Sequence, residues 1–326
     1  MPTPAGQNGS FADHGWLDAP LAFPAPAGAA RYVDFSPLGM GGKAEVYLCR
    51  DQTLGRQVAY KVLRHDLKGN EDEERRLVRE ARVMARLKHA SIPEVYEIGR
   101  DVHQRPFFTM HAAPGVTLAE LLIDLRRGGR QAQHEFFLER RVHVIEQMAR
   151  ALGYAHACGV VHGDLKPENV IVEGFDAPML IDWGLLELTD EAAPRTPQTH
   201  RHGTPLNMPP EQILGEGNTG DQRSDVYRLG TVLYECLALE PHAWGETIQD
   251  LLRSIVKSDV RPPRDVNPAA GVTPDLEAAC MRALAKDPTD RFANAAEFAD
   301  ALRECQLDLL VNFERDFDVA PAAWTS

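Results

Sequence analysis

The sequence has few of the features that mark membrane-bound or secreted proteins. Its longest apolar run, at residues 231–239, is about half of the ~18 residues that a membrane-spanning helix needs, and Glu235 interrupts it. No basic segment followed by an apolar stretch opens the chain, so no secretory signal is visible. The five cysteines have no paired spacing, which argues against a disulfide framework or a zinc site. We therefore expect a cytoplasmic protein with reduced cysteines and no membrane span.

Basic residues are also scarce. The chain has 35 Lys and Arg against 48 Asp and Glu, which gives a formal net charge of −13. This charge argues against nucleic acid as the main partner, although it leaves room for a local basic pocket that binds phosphate. Hydrophobic residues make up 44% of the 326 residues and charged residues 25%, so a sizeable core can form in about two domains or lobes.

The pattern along the chain predicts a small β-rich part before a larger helical part. Residues 1–30 are rich in Pro, Ala and Gly and predict a flexible tail. Short strand-like runs and one charged helix, at residues 71–88, follow as far as Met110, and helical spacing dominates after Gly115. The predicted segments are a tail at 1–30, a β-rich part at 31–110, a connection at 111–116, a helical part at 117–313 and a tail at 314–326. The fold class is α+β.

A cluster of glycines lies between two strand-like runs, at residues 38–46. Gly39, Gly41 and Gly42 let backbone amides approach phosphate oxygens because no side chain intervenes. A Rossmann loop would lead into a helix, and a P-loop would end in Gly-Lys-Ser/Thr, so neither motif fits. By itself the cluster predicts either a phosphate-binding turn or a plain hairpin.

A lysine on an apolar strand forms the second motif. Lys61 ends the run Val58-Ala59-Tyr60-Lys61, and Glu80 lies on the helix that follows. An unpaired buried charge is costly, so a buried Lys61 needs a counter-ion or a ligand phosphate. Two interpretations remain: an ion pair between Lys61 and Glu80, or a surface lysine beside an ordinary charged helix.

The third motif is a set of polar residues around two short strands. Asp164, Lys166 and Asn169 lie in one segment, and Asp182 follows the second strand. Mg²⁺ prefers carboxylate and amide oxygens, which Asp182 and Asn169 can supply. Asp164 can orient an acceptor hydroxyl, and Lys166 can neutralise charge on a moving phosphoryl group. The set predicts metal-assisted phosphoryl transfer.

Together, and in this order, the motifs resemble those of eukaryotic-like serine/threonine protein kinases of bacteria. The resemblance covers about residues 32–305. Its further segments are Gly203-Thr204-Pro205, Met208-Pro209-Pro210-Glu211, the helix at 224–230 and Asp287-Pro288-Thr289-Asp290-Arg291-Phe292. It implies a bilobal kinase domain at 31–313, with a β-rich N-lobe at 31–110, a hinge at 111–116 and a mainly helical C-lobe at 117–313.

The resemblance also implies the activity and the roles of residues. The chain would transfer the γ-phosphoryl group of ATP, with Mg²⁺, to Ser or Thr of protein substrates. The implied ATP-binding residues are Leu38, Gly39, Gly41, Gly42, Val46, Ala59, Lys61, Glu80, Met110, His111, Ala113 and Ile171. The implied catalytic residues are Asp164, Lys166 and Asn169, and the implied metal ligands are Asn169 and Asp182. The substrate-binding segment contains Thr204 and Glu211, and Glu211 is expected to pair with Arg291.

One departure from the family pattern carries mechanistic weight. Gly163 stands where most of the family has an arginine that meets a phosphorylated residue of the activation loop. We therefore expect an activity that does not depend on phosphorylation of Thr189, Thr196 or Thr199. Trp183 also replaces the usual Phe after the metal-binding aspartate, and it is apolar enough to pack in its place.

Two other functions remain open from the sequence. The order His-Gly-Asp-Leu…Asn followed by Ile-Asp-Trp also resembles small-molecule phosphotransferases such as aminoglycoside and choline kinases, which lack the Gly-Thr-Pro…Pro-Glu and Asp-Pro…Arg segments in this form. A nucleotide-binding pseudokinase scaffold is the other alternative. Its usual mark is the loss of a catalytic Lys, Asp or Asn, and here all of them are present.

Overall fold

A computed structural model describes residues 31–129, 136–173, 177–183, 187–188, 204–215 and 221–318. The chain separates into two compact units. Residues 31–113 form most of the first unit, and most of the residues from 114 onward form the second. The predicted tail at 1–30 and the threonines Thr189, Thr196 and Thr199 lie outside the described residues.

The first unit is built on an antiparallel sheet. Its strands are β1 (Tyr32–Met40), β2 (Ala44–Asp51), β3 (Arg56–Leu63), β4 (Val95–Arg100) and β5 (Pro106–Met110). Their order in the sheet is β1-β2-β3-β5-β4. From Val58 onward every residue of β3 is buried, because successive side chains point to opposite faces and both faces are covered. One face carries an apolar cluster of Cys49, Val58, Tyr60, Val62 and Phe107.

Helix α1 (Glu71–Met84) packs against β3, β4 and β5. Asn70 caps its N-terminus by accepting hydrogen bonds from the N–H groups of Asp72 and Glu73. The predicted end at residue 88 is wrong. After Met84 the helix gives way to a tighter turn, in which the N–H of Leu87 donates to the carbonyl of Met84, three residues earlier, at 3.1 Å. Leu87 is buried through this turn, so a buried apolar residue three positions after Met84 does not require the helix to continue.

The second unit is mainly helical. Its helices are α2 (Leu118–Arg126), α3 (Leu138–Ala157), α4 (Pro210–Leu214), α5 (Gln222–Ala238), α6 (Ile248–Lys257), α7 (Pro263–Val266), α8 (Pro274–Ala283) and α9 (Ala295–Asp318). The strands after the first unit are β6 (Val116–Thr117), β7 (Val160–Val161), β8 (Val170–Glu173), β9 (Ala177–Leu180) and β10 (Glu187–Leu188). Strands β6, β8 and β9 form one small sheet in the order β6-β8-β9. The predicted α+β class, with a β-rich half before a helical half, is confirmed.

Helix α5 lies at the centre of the second unit, and almost all of its residues are buried. It contacts α7, α8 and α9. Helix α9 continues through Asp318, past residue 313 where the C-terminal tail was predicted to begin. No glycine or proline occurs between Phe313 and Asp318 to end it.

The cysteines are free thiols, as predicted: Cys158 is half-buried, and Cys49, Cys236, Cys280 and Cys305 are buried. Burial raises the pKa of Cys49 to about 11 and that of Cys236 to about 12, so these thiols stay protonated and unreactive at neutral pH. Among the described residues, no helix is both long enough and apolar enough to span a membrane.

Candidate active site

The glycine-rich segment is a tight hairpin turn between β1 and β2. Gly39 pairs with Val46, and the N–H of Gly41 donates to the carbonyl of Ala44 at 2.9 Å. The predicted nucleotide-binding residues of this hairpin that lie exposed are Leu38, Gly39, Gly41 and Gly42. A methyl group added to Gly39 or Gly42 would meet no atom within 4 Å. The packing of the chain therefore does not require glycine there, which is consistent with a turn kept open for a ligand.

The sheet register groups other predicted ATP-binding residues on one face. Lys61 of β3 pairs with Val46 of β2, and Ala59 pairs with Met110 of β5. Directly opposed residues share a face, and so do residues two apart on a strand. Val46, Ala59, Lys61 and Met110 therefore line the same face, and Ala59, Lys61 and Met110 are buried.

Lys61 and Glu80 form a buried ion pair. The Nζ atom of Lys61 lies 2.6 Å from Oε1 of Glu80, and the two residues are 6% and 5% exposed. The interpretation of Lys61 as a surface lysine is therefore wrong. Such a pair keeps its charges only if each partner satisfies the other, so Glu80 on α1 fixes where the ammonium group of Lys61 lies.

The segment after β5 presents backbone groups. The N–H of His111 donates to the carbonyl of Glu94 at 2.9 Å, which leaves the His111 carbonyl as the group that can meet adenine. The His111 side chain lies 3.3 Å from the Tyr96 hydroxyl. Ala113, two residues further on, is half-buried. Ile171 belongs to the second unit, where it lies half-buried on β8 and pairs with Met179 of β9.

Asp164 is the centre of the polar group in the second unit. Its Oδ2 atom accepts a hydrogen bond from Nζ of Lys166 at 2.9 Å, and its Oδ1 atom accepts one from the N–H of Thr204 at 3.2 Å. Its backbone carbonyl accepts a hydrogen bond from Nδ2 of Asn169 at 2.8 Å. The structure thus brings together Asp164, Lys166, Asn169 and Thr204.

His162 holds the backbone of this loop. The N–H of Asp164 donates to Nδ1 of His162 at 3.2 Å, and Nε2 of His162 lies 3.3 Å from the carbonyl of Ile181. Nδ1 is therefore the acceptor and Nε2 carries the proton. Burial lowers the pKa of His162, which keeps this neutral form. Trp183 is fully buried, lies against the His162 ring at 4.6 Å and donates from Nε1 to the Leu180 carbonyl, so the expectation that it packs in place of Phe is confirmed.

The predicted metal ligands lie beside this loop. Asn169 commits Nδ2 to the Asp164 carbonyl, so Oδ1 is the amide atom that can bind a cation. The N–H of Ile181 donates to the Asn169 carbonyl at 2.9 Å and links the two ligand segments. Asp182 is exposed and has a φ of 62°. A left-handed backbone is uncommon for a non-glycine residue, and aspartate is one of the types that adopts it more readily.

Asp225 is a residue of this site whose part the sequence motifs did not reveal. It is fully buried on α5 and accepts hydrogen bonds from the N–H groups of His162 at 2.8 Å and Gly163 at 3.0 Å. Nε2 of His156 lies 2.9 Å from its Oδ2 atom. Burial raises the pKa of Asp225, but the His156 hydrogen bond and the charge of Arg228 outweigh burial and bring it to about 2. The signal in the sequence was an aspartate within the predicted helix at 224–230.

Gly163 needs its residue type for conformational reasons. Its φ is +83°, a region in which L side chains are strained. Its N–H points to Asp225, so the backbone next to Asp164 is held from α5. A glycine here carries no side chain that reaches toward other segments.

The expected pair of Glu211 and Arg291 is present and buried. The guanidinium donates to Oε1 at 2.9 Å and to Oε2 at 2.7 Å. Its remaining donors reach the carbonyls of Ala285, Arg223 and Lys286, so all five N–H donors of Arg291 are used. Burial raises the pKa of Glu211, but Arg291 outweighs burial and lowers it.

Comparison with known proteins agrees with this geometry. The family model described as protein kinase domain matches residues 32–302. The chain is 36% identical to serine/threonine-protein kinase PknB of Mycolicibacterium smegmatis, over 84% of this chain and 43% of that protein. It is 35% identical to probable serine/threonine-protein kinase SCO3848 of Streptomyces coelicolor, over 84% of this chain and 40% of that protein.

A third relative has a more specific name. DNA damage-responsive serine/threonine-protein kinase RqkA of Deinococcus radiodurans is 37% identical, over 81% of this chain and 37% of that protein. The chain thus spans less than half of the length of these curated relatives. Because the family match covers most of the chain, and the kinase motifs fold into the arrangements around Lys61 and Asp164, the chain belongs to the protein kinase family and is related to the eukaryotic-like serine/threonine kinases of bacteria.

Proposed function

We propose that this chain is a protein kinase that transfers the γ-phosphoryl group of ATP, with Mg²⁺, to Ser and Thr hydroxyls of protein substrates in signalling. The observation that carries this proposal is the arrangement at Asp164. One carboxylate oxygen meets Lys166, and the other meets the backbone of Thr204 in the substrate segment.

Asp164 would act on the acceptor hydroxyl. Held by Lys166 and Thr204, its carboxylate keeps lone pairs that can accept the hydrogen bond of a Ser or Thr hydroxyl. It would orient that oxygen for in-line attack and receive its proton. Lys166 lies beside it and is 22% exposed as a side chain, so its charge would offset the negative charge that develops on the transferred phosphoryl group.

Asn169 and Asp182 fit the metal assigned to them. An amide oxygen and a carboxylate are hard oxygen donors of the kind that Mg²⁺ selects, and the rest of its shell would come from water and substrate phosphates. Bound Mg²⁺ would neutralise phosphate charge. The hydrogen bond from Asn169 to the Asp164 carbonyl would keep the amide oxygen turned away from the loop.

The first unit would hold the nucleotide. Lys61, positioned by Glu80, would contact the α- and β-phosphates. The apolar face that contains Val46, Ala59 and Met110 would contact the adenine ring, a role that the family resemblance also gives to Ile171. The backbone of His111 and Ala113 would supply the hydrogen bonds to its edge. Leu38, Gly39, Gly41 and Gly42 would cover the phosphates.

Protein substrates are favoured over small molecules. Thr204, the buried pair of Glu211 and Arg291, and the names of the relatives all support a serine/threonine protein kinase. The catalytic set is complete, which speaks against a pseudokinase scaffold. We propose a cytoplasmic location, where ATP is available and five free cysteines stay reduced, and no nucleic-acid partner.

Activity is proposed to be independent of activation-loop phosphorylation. Gly163 has no side chain that could bind a phosphate, and its N–H is already committed to Asp225. The triple variant T189A/T196A/T199A is therefore expected to keep at least half of the wild-type kcat. Loss of activity in that variant, with normal folding, would contradict this part of the proposal.

The decisive experiment measures phosphate transfer from γ-labelled ATP with Mg²⁺ to a mixed protein substrate, followed by phosphoamino-acid analysis. Wild-type protein is expected to label Ser and Thr, and D164N to lose at least 99% of this activity. D275N, which changes an exposed aspartate on α8, serves as the matched control and should label like the wild type. Tight ATP binding without transfer to any protein would reject the proposal.

A further inference from the structure

Lys43 lies in the hairpin turn of the glycine-rich segment and has no role in the function proposed above. Its Nζ atom lies 3.1 Å from Oε1 of Glu73 in the first turn of α1. The side chains are 42% and 17% exposed, so Glu73 is the better-fixed partner. The pair joins the turn to the helix, and β2 and β3 lie between these two segments in the sequence.

A backbone hydrogen bond also holds the turn at Lys43. The N–H of Arg64, directly after β3, donates to the carbonyl of Lys43 at 3.0 Å. This bond holds the turn beside the end of β3, the strand that carries Lys61. From that point the Lys43 side chain reaches α1, so one residue contacts both elements that position Lys61.

Glu73 and Glu80 occupy the same face of α1. They are seven residues apart, which is close to two full helical turns, or about 10 Å along the axis. Glu80 binds Lys61 on β3, and Glu73 binds Lys43 in the turn. The face of α1 that presents both carboxylates is therefore linked to the phosphate-binding lysine at one point and to the glycine-rich turn at another.

We infer that the Lys43–Glu73 pair is a positioning contact that sets the place of the glycine-rich turn relative to Lys61, and so raises the affinity for the phosphates of ATP. This inference rests on the proposed function, because it assigns the turn to ATP. Lys43 acts through Glu73 and is a positioning residue. The turn is also held by its own hairpin hydrogen bonds and by the N–H of Arg64.

The strength of the pair sets the size of the expected effect. Exposed ion pairs contribute little, and dissolved salt weakens them further. A change of a few-fold in ATP affinity is therefore expected, and it should shrink at high ionic strength. Arg76 lies 3.7 Å from the same carboxylate oxygen of Glu73, and its charge would remain when Lys43 is replaced.

Charge reversal tests the pair. K43E places a carboxylate opposite Glu73 and is expected to raise KM for ATP about fivefold, with kcat changed by less than about twofold. E73K is expected to have a similar effect. The double variant K43E/E73K restores an ion pair with the opposite polarity and is expected to return KM to within about twofold of the wild type. In 0.5 M NaCl the single variants should approach the wild type.

Two measurements keep this inference separate from the proposed function. The dissociation constant for ATP with Mg²⁺, measured by calorimetry, should follow the same pattern even if no protein substrate is found. The exchanged pair D72K/R75E, made from the Asp72–Arg75 pair of the same helix, is the matched control and should leave ATP affinity unchanged. Thermal unfolding checks that each variant is folded.

The outcomes are distinct. If K43E weakens ATP binding and the double variant does not recover it, Lys43 acts on the nucleotide directly and the inference is wrong. If no single variant changes ATP affinity by more than about 1.5-fold, the pair has no positioning role and the inference is equally wrong. Normal phosphate transfer in the wild type combined with either result would leave the proposed function intact.

Discussion

Replacing Asp225 with Asn tests how far the catalytic loop depends on helix α5. In the wild type, Oδ1 accepts from the N–H of Gly163, and Oδ2 accepts from the N–H of His162 and faces Nε2 of His156. An Asn side chain has one acceptor oxygen and an amide NH₂ group that only donates. In either orientation the NH₂ group would replace one carboxylate oxygen, so either the N–H of Gly163 or the N–H of His162 would lose its acceptor.

The free-energy change follows from these contacts. One of the two backbone N–H groups, that of Gly163 or that of His162, would be left without an acceptor inside the protein, at about 1–3 kcal/mol. The hydrogen bonds that remain would change from charge-assisted to neutral, which weakens each by about 1 kcal/mol. The buried Arg228, which lies 3.5 Å from Oδ1 of Asp225, would also lose its counter-charge. Relief of the buried charge offsets part of this loss. We expect D225N to lower the free energy of unfolding by about 2–4 kcal/mol.

The effect should appear in both stability and catalysis. Urea unfolding followed by tryptophan fluorescence, at a slope of roughly 3 kcal/mol/M, should show a midpoint lowered by about 1 M. Trp183 lies against His162 and reports on the affected loop. Since Gly163 directly precedes Asp164, kcat should fall at least tenfold, because small displacements of a catalytic group are costly. KM for ATP should change by less than about twofold.

D275N again provides the control, because Asp275 is exposed on α8. It should unfold within about 0.2 M urea of the wild type. If D225N behaves like D275N in both midpoint and kcat, the loop does not depend on the hydrogen bonds to α5. Reduced stability with an unchanged kcat would show that Asp225 supports folding and does not position Asp164.

Further predictions concern other contacts. G39A should raise KM for ATP several-fold without changing the thermal midpoint, because the added methyl meets no protein atom. G230A should lower the midpoint by about 5 °C or more without a selective effect on KM, because the methyl would lie 2.8 Å from the Ala283 side chain. R291A should lower the free energy of unfolding by about 3–5 kcal/mol, because it leaves Glu211 buried and unpaired. Urea unfolding measures this loss. The folded state lowers the pKa of Glu211 below its ordinary value. The ionised Glu211 therefore contributes its full stabilisation of the folded protein above about pH 5, and this contribution is lost as the pH falls. The difference in stability between wild type and R291A should therefore narrow in acid, and a constant difference down to pH 3 would contradict that cause.

The features that could be predicted from the sequence are those with local signals. The strands of the first unit follow from short strand-like runs. The cost of a buried lysine left two interpretations of Lys61, and the order of the motifs, through the family resemblance, favoured its pairing with Glu80. The end of α1 could not be predicted, because Leu87 fits helical spacing equally well whether the chain continues as a helix or tightens. Local periodicity cannot distinguish these two ways of burying one leucine.

The support behind Asp164 could not be predicted from local signals. Asp225 is more than sixty residues from His156 and His162 in sequence, and only the packing of the second unit brings it to them. A buried polar residue in a helix shows that some partner exists, because an unpaired one is costly. It does not show which partner. Aspartate adopts a left-handed backbone more often than most residues, but this tendency does not distinguish Asp182 from the other aspartates of the chain.

Helix α5 supplies polar partners to several segments at once, and the spacing of its polar residues explains how. Ser224, Arg228 and Thr231 recur at intervals of about one turn, and Asp225 lies beside Ser224 on the same side of the helix. In chain order these four residues meet Glu211, the backbone before Asp164, Gln212 and the side chain of Asn207.

The loop that carries Asp164 and the segment that follows Thr204 are thus held by the same rigid element. Helices deform less readily than loops, so their relative position is set by α5 more than by either loop's own hydrogen bonds. The N–H of Thr204 also donates directly to Asp164, so the two segments are linked to each other as well. A buried polar face on α5 is therefore what places a substrate segment against a catalytic carboxylate in this unit.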